Sequence, residues 1–278
     1  MIYCFKMRNN ADKGDFMGKF DGYLLLSDID GTLTDSKGKL PQNNADAIHY
    51  FQSEGGLFTV ASGRFPDFID GFSSSVKPNT HIIGINGTVI YDWQNKKDLV
   101  CRTLDEKFIS LVYDIIETRP ELDSVYISHR FDNVYIPREK FAVLDTILEE
   151  NKYTWNRAMF CQSPDKTARV HDWLIEKYGD RYSVNCSWDS GIEVHSKDSG
   201  KGAMLEELSR IVFPKGEKKL TVAVGDYEND VSMLLSADIG YAVANGIECA
   251  KKAADRFTVS NNEGAIAAVI EELEAEMK

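Results

Sequence analysis

Two carboxylates one residue apart, Asp28 and Asp30, close an apolar run, Leu24-Leu25-Leu26-Ser27, and lead into Gly31-Thr32-Leu33. The run reads as a buried strand. Strand side chains alternate, so the two acids are expected on one side with Ile29 turned into the core. Gly31 then lets the backbone turn sharply away. An acid pair at the carboxyl end of a buried strand sits where open α/β sheets place their chemistry. A second acidic group stands far downstream in Gly225-Asp226-Tyr227-Glu228-Asn229-Asp230. Three acids in five residues repel one another without a counter-charge. Alone they read as a solvated turn with Asn229 or Asp230 capping a helix. Beside Asp28 and Asp30 they make a set of hard oxygen ligands suited to Mg²⁺, which takes a few carboxylates plus water and phosphate.

Two further stretches have the character of anion partners. Ser62-Gly63-Arg64 follows an apolar run and precedes Pro66, where a helix is expected to begin. A hydroxyl, a glycine and free backbone N–H groups at such a turn form an anion cradle; the competing reading is a serine cap. Lys201, in Ser199-Gly200-Lys201-Gly202, stands where a helix starts. A cation there opposes the helix dipole, which hints at an anionic partner rather than an exposed lysine in a flexible turn. A P-loop is excluded: no glycine stands five residues before Gly200, and Gly202 replaces the required hydroxyl.

The elements that must position these groups follow a strand–helix rhythm. Asn43 to Ser53 has an apolar helical face closed by Gly55-Gly56, and Leu57 to Ala61 reads as a second buried strand, so the pairing is expected to be parallel. His81 to Gly84 and Thr88 to Tyr91 flank Asn86-Gly87, a hairpin turn. From about Leu104 helices (107–116, 139–150, 166–178) alternate with short strands (124–128, 133–136, 158–162, 182–187), the texture of an inserted α+β module. His129, Arg130, Trp155, Arg157 and Trp188 lie there and read as packing or solvated surface. The chain is expected to rejoin the first unit at Gly191-Ile192-Glu193-Val194-His195. After it come strands at 221–224, 239–243 and 257–259 and helices over 203–212, 248–254 and from Gly264. The expected division is 1–20 as a loosely held extension (Met17 is a candidate start), 21–104 with 189–278 as the main unit, and 105–188 as the insert.

Composition narrows the class of function. The chain has 278 residues, 43% hydrophobic, enough for a full core. With 32 Lys and Arg against 44 Asp and Glu, the formal net charge of −12 argues against nucleic acid as a partner. Five scattered cysteines without a C-x-x-C pair read as free thiols in a reducing compartment. No apolar run reaches membrane-span length, and the first twenty residues lack the apolar core of a secretory signal, so a cytoplasmic protein is expected.

Taken together and in order, Asp28-Ile29-Asp30-Gly31-Thr32-Leu33, Ala61-Ser62-Gly63-Arg64, Lys201-Gly202 and Gly225-Asp226-Tyr227-Glu228-Asn229-Asp230 resemble the haloacid dehalogenase (HAD) superfamily, in its Cof-type branch, subfamily IIB, of sugar-phosphate phosphatases. The Asn86-Gly87 turn and the tail from Ala244-Asn245-Gly246 to Gly264 are similar to that branch. The resemblance runs from about Tyr23 to the last helix. It implies an α/β fold with a Rossmann-like parallel sheet between helices, plus a C2-type (C2B) cap over the insert.

The resemblance also implies a Mg²⁺-dependent phosphatase acting on a small phosphorylated metabolite, a sugar phosphate foremost. Asp28 would be the nucleophile and Asp30 the acid and base. Ser62, the Gly63 amide and Asn229, with Ile29 and Arg64, would bind the phosphoryl group or substrate. Lys201 would neutralise charge on the phosphoryl group and Asp28. Asp28, the Asp30 main-chain carbonyl and Asp226 would hold Mg²⁺, with Asp230 nearby. Tyr227 departs from the small polar residue many relatives carry. A phosphomutase is the rival within the fold, and a non-catalytic phospholigand or Mg²⁺ binder the rival outside it.

Overall fold

The computed structural model describes residues 18–72, 75–150, 154–213 and 220–277. In chain order its first part holds β1 (Tyr23–Ser27), α1 (Gln42–Ser53), β2 (Leu57–Val60), β3 (Ile82–Gly84), β4 (Val89–Asp92) and β5 (Lys97–Cys101). The middle holds α2 (Phe108–Thr118), β6 (Leu122–His129), β7 (Asn133–Pro137), α3 (Leu144–Glu150), β8 (Trp155–Gln162), α4 (Pro164–Tyr178), β9 (Tyr182–Trp188) and β10 (Gly191–Ser196). The last part holds α5 (Lys201–Val212), β11 (Leu220–Gly225), α6 (Val231–Ser236), β12 (Ile239–Val243), α7 (Glu248–Ala253), β13 (Arg256–Thr258) and α8 (Ala265–Glu276).

The central sheet runs β13-β12-β11-β1-β2, with every pair parallel. Helices cover both faces, which is why β1 is a continuous apolar run with no polar face. Leu25 joins Ile48, Phe51, Val269 and Ile270 of α1 and α8 on one side. Leu24 and Leu26 join Met204, Leu205, Leu208 and Met233 of α5 and α6 on the other. All three leucines are fully buried, each contributing on the order of 1.5–3 kcal/mol. That packing makes the end of β1 a rigid platform.

A small antiparallel sheet, β3-β4-β5, extends from β2 through a parallel bridge between Ala61 and Ile83. The third sheet is antiparallel, in the order β7-β6-β8-β10-β9, with α2 and α4 contributing to a separate core around Phe108, Val125, Phe160 and Leu174. It is built wholly from residues between the two halves of the parallel sheet. No described helix is long and apolar enough to cross a membrane.

Four expectations need correction. Residues 191–196 do not rejoin the parallel sheet: β10 pairs with β8 and β9, so the chain leaves the antiparallel module only after Ser196 and not at 189. Nothing in an isolated apolar strand says which sheet will take it. The helix expected from Pro66 is a single 3₁₀ turn, Pro66–Asp70. β1 ends at Ser27, and residues 29–33 form a tight coil with Gly31 at φ 88°, so both acids lie just beyond the strand and strand alternation does not orient them. Within the proposed extension, 1–17 lies outside the described residues, but Phe20 is fully buried against Tyr23, Tyr50 and Phe51, and Lys19 pairs with Glu274. Phe20 belongs to the core, and Lys19 ties the chain before it to α8.

Candidate active site

The carboxyl ends of β1, β2 and β11 meet in one place, beneath the antiparallel module, around a cavity of about 360 Å³. Asp28, Asp30, Ser62, Gly63, Arg64, Asp226 and Asn229 all line it. Residues up to about two hundred positions apart in sequence converge because parallel strands place all their carboxyl ends on one edge.

Lys201 lies below the floor. Its side chain is fully buried, and Nζ donates to Asp28 Oδ1 at 2.6 Å and to Asp230 Oδ1 at 2.6 Å. Burial alone would push a lysine down, but the two carboxylates outweigh it and hold Lys201 well above its ordinary value. The side chain's reach explains a cation at the first position of α5: it satisfies acids on two other elements. Gly200 before it has φ 115°, and a Cβ on Gly87 would lie 2.0 Å from the Gly200 carbonyl carbon. Two bare backbones therefore touch where the β3–β4 turn meets α5, and the Gly200 N–H donates to Gly87 O at 2.9 Å.

Asp230 is fully buried and fully engaged. Beyond Lys201, its Oδ2 accepts the N–H groups of Asp226 at 2.8 Å and Tyr227 at 3.0 Å. It braces the acidic loop instead of capping the next helix from outside. Asp226 Oδ1 accepts from Thr32 Oγ1 at 2.8 Å, a partner the sequence reading missed. Ligand oxygens of Asp28, Asp226 and Asp230 lie within 4.8 Å of one another. Among the described residues no hydrogen bond reaches Oδ2 of Asp28 or of Asp226. Burial, then the neighbouring carboxylates, push Asp28 well up against the pull of Lys201. Burial and Asp230 likewise push Asp226 to about 7. Three carboxylates, two of them buried and one partly so, with one lysine carry excess negative charge. A hard divalent cation between Asp28 and Asp226 fits this donor set.

Asp30 stands apart on the rim. Its carboxylate takes a forked contact from Arg64, with Nη2 at 2.7 Å from Oδ1 and Nε at 3.2 Å from Oδ2. Its side chain therefore lies outside the carboxylate trio, and any part it takes in holding a cation falls to its main chain. Ile29 is buried in the core and does not line the cavity. Ser62 is buried, and its Oγ accepts from Arg64 N at 3.2 Å. The 3₁₀ turn after Pro66 is too short to aim a helix dipole here, so local backbone and the Ser62 hydroxyl are the donors.

The roof was not legible as a site. Glu193 and Arg157 form a buried ion pair at 3.0 Å, and the Asn86 amide donates to Glu193 Oε2 at 2.6 Å and to Ser187 Oγ at 2.9 Å. Asn86 Oδ1 accepts from Asn229 at 3.2 Å. Phe65, Met159, Trp188 and Tyr227 supply apolar wall. One signal existed: in β10 the apolar Ile192 and Val194 alternate with Glu193 and His195, so the strand has one polar face although it is buried on both. Asn86, read as a turn residue, keeps that role with φ 48°, but its side chain joins the two layers.

A parallel sheet with an aspartate just past its first strand, a buried lysine beside it and an acidic loop two elements on has the charges and oxygen donors that phosphoryl transfer needs. Residues 25–270 match the family of haloacid dehalogenase-like hydrolases, and the chain belongs to it. It is similar to phosphatase YwpJ of Bacillus subtilis (24% identical, covering 90% of this chain and 99% of that one). It is also similar to the 5-amino-6-(5-phospho-D-ribitylamino)uracil phosphatase YitU of Bacillus subtilis (24% identical, 90% and 97%). Its fold matches the HAD subclass IIB sugar phosphatase BT4131 with a TM-score of 0.73 at 19% identity, covering 92% of this chain and 100% of that one.

Proposed function

We propose that this chain is a Mg²⁺-dependent phosphatase that hydrolyses a small phosphorylated metabolite, a sugar or polyol phosphate, through an aspartyl-phosphate on Asp28. The observation that carries the reading is Asp28 itself: buried at the cavity floor, charge-matched by Lys201, with Asp30 on the rim above. In this reading an Asp28 carboxylate oxygen attacks phosphorus while the bond to the leaving oxygen breaks and Asp30 protonates that oxygen. Asp30 then takes a proton from water as the water oxygen attacks phosphorus, releasing phosphate and restoring Asp28. Asp30 leaves its contact with Arg64 to do so. Exposed ion pairs of this kind contribute about 0–1 kcal/mol, so the release is easy, and Arg64 becomes available to the substrate. Ser62, the Gly63 N–H and Asn229 orient the phosphoryl oxygens.

Asp28, the Asp30 carbonyl and Asp226 would hold Mg²⁺, which when bound would offset carboxylate and phosphoryl charge; Asp230 keeps Lys201 and the loop in place. The antiparallel module acts as a C2B-type cap, and its Arg157, Glu193 and Asn133 recognise the hydroxyl-bearing part of the substrate. The name of YitU, a phosphatase of a phosphorylated ribityl chain, agrees with this class.

Phosphate release from a panel of phosphorylated metabolites tests the reading. Release should require Mg²⁺ and vanish in Asp28→Asn. Isomerisation of a sugar monophosphate without free phosphate would indicate a mutase, and ligand binding without turnover a binding protein; either would refute hydrolysis.

A further inference from the structure

On the seam between the antiparallel module and the parallel sheet, three side chains of different chemistry converge. His171 of α4, Cys186 of β9 and Glu228 of the loop after β11 place one ligand-type atom each within 4.8 Å of the others. The hydrolysis described above uses none of them. His171 Nε2 forms an ion pair with Glu228 Oε1 at 3.0 Å, and among the described residues this buried nitrogen makes no well-aligned hydrogen bond. Glu228 Oε2 accepts from the Cys186 backbone N–H at 3.2 Å, leaving Oε1 toward the ring. Behind the ring, Asp172 Oδ1 is 3.7 Å from Nδ1.

An imidazole nitrogen, a thiol sulfur and a carboxylate oxygen suit a borderline-soft ion, whereas Mg²⁺ takes oxygen ligands. We propose that His171, Cys186 and Glu228 form a Zn²⁺-class site, with a fourth position open to water, whose occupancy pins the module to the sheet beneath it. Zinc with bonds of about 2.0–2.3 Å spaces tetrahedral ligands roughly 3.5 Å apart, so atoms within 4.8 Å of one another close by about 1.3 Å at most, within the reach of side-chain rotation. Binding forms bonds to S, N and O, and the thiol proton leaves to solvent. The ion pair accounts for the His171–Glu228 contact, but not for the Cys186 sulfur lying within 4.8 Å of both ligand atoms.

Glu228 sits between Asp226 and Asn229, so the ion would tie the acidic loop to the module and slow every turnover that needs the cavity to open. That consequence rests on the phosphatase reading; the metal site does not. Co²⁺ titrated into the full chain under saturating Mg²⁺ reports thiolate ligation by a near-ultraviolet charge-transfer band that carboxylate sites do not give. One equivalent should produce the band, Zn²⁺ should abolish it by displacement, and neither Cys186→Ser nor His171→Ala should show it. Zn²⁺ should slow amide exchange in α4 and β9, and the Zn²⁺ concentration that halves phosphate release should rise about tenfold or more in Cys186→Ser. No band in the wild type, a band surviving in Cys186→Ser, or exchange unchanged by Zn²⁺ overturns the proposal. A protein showing the band and slowed exchange but no phosphate release from any substrate refutes the phosphatase reading and leaves the site standing.

Discussion

At the scale of the residue, the two acids that open the motif have separate lives. Asp28 is buried and held by Lys201, whereas Asp30 is exposed and held by Arg64. Their environments differ as the proposed division into nucleophile and acid–base requires. Asp30→Asn should lower kcat by about 10²–10⁴-fold, the usual contribution of a general acid and base, with Mg²⁺ affinity by calorimetry unchanged because its side chain lies outside the carboxylate trio. Loss of Mg²⁺ binding in that variant would contradict the assignment. Lys201→Met is a different kind of lesion. It leaves Asp28 and Asp230 buried without their cation, and breaking a buried pair in this way costs about 3–5 kcal/mol. Urea denaturation should show that loss together with loss of turnover.

At the scale of the element, the coil after β1 decides whether the site can exist. Gly31 has φ 88°, and a Cβ there would lie 2.5 Å from Asp226 Oδ2. The glycine makes room for the second carboxylate as well as for the turn. Gly31→Ala should therefore destabilise by about 1–3 kcal/mol through backbone strain. It should cut kcat/KM by about 10²-fold, the scale of a 1 Å misplacement at a reacting centre. A variant with wild-type kinetics would show that Asp226 has slack.

The motif residues on this edge were legible because their types and order carry the chemistry locally. Most elements were legible too, since the apolar runs of β1, β2, β11 and β12 have no polar face and must be covered on both sides. The membership of β10 was not, because the partners of a strand lie in other strands. The roof was hidden for the same reason: Arg157, Glu193 and Asn86 are unremarkable singly and become a site only when β8, β10 and the β3–β4 turn meet. Lys201 was singled out by its awkward place at a helix start, but its two partners lie on other elements.

At the scale of the whole molecule, stability should respond to pH through the buried polar face of β10. His195 is buried, with Nδ1 2.8 Å from Ser199 Oγ and Nε2 3.2 Å from Asn185. Burial holds it below its ordinary 6.5, against the opposing pull of Glu193. A histidine depressed in the folded state binds its proton more readily once unfolded. Its contribution is complete above 6.5 and is lost as pH falls below 6.5 toward the folded value. Denaturation of the wild type should show stability declining over that interval, and His195→Gln should flatten the decline even if it costs stability at every pH. Identical slopes would place the acid sensitivity elsewhere.

The contacts of Asn86 bear on how such enzymes could trade specificities. One amide from the β3–β4 turn holds Glu193 and Ser187 of the antiparallel module while its oxygen takes Asn229 from the acidic loop. The proposed recognition wall is thus co-owned. A module transplanted from a relative would arrive with half of its wiring, so the exchangeable unit in a chimera is the module together with position 86 and its turn.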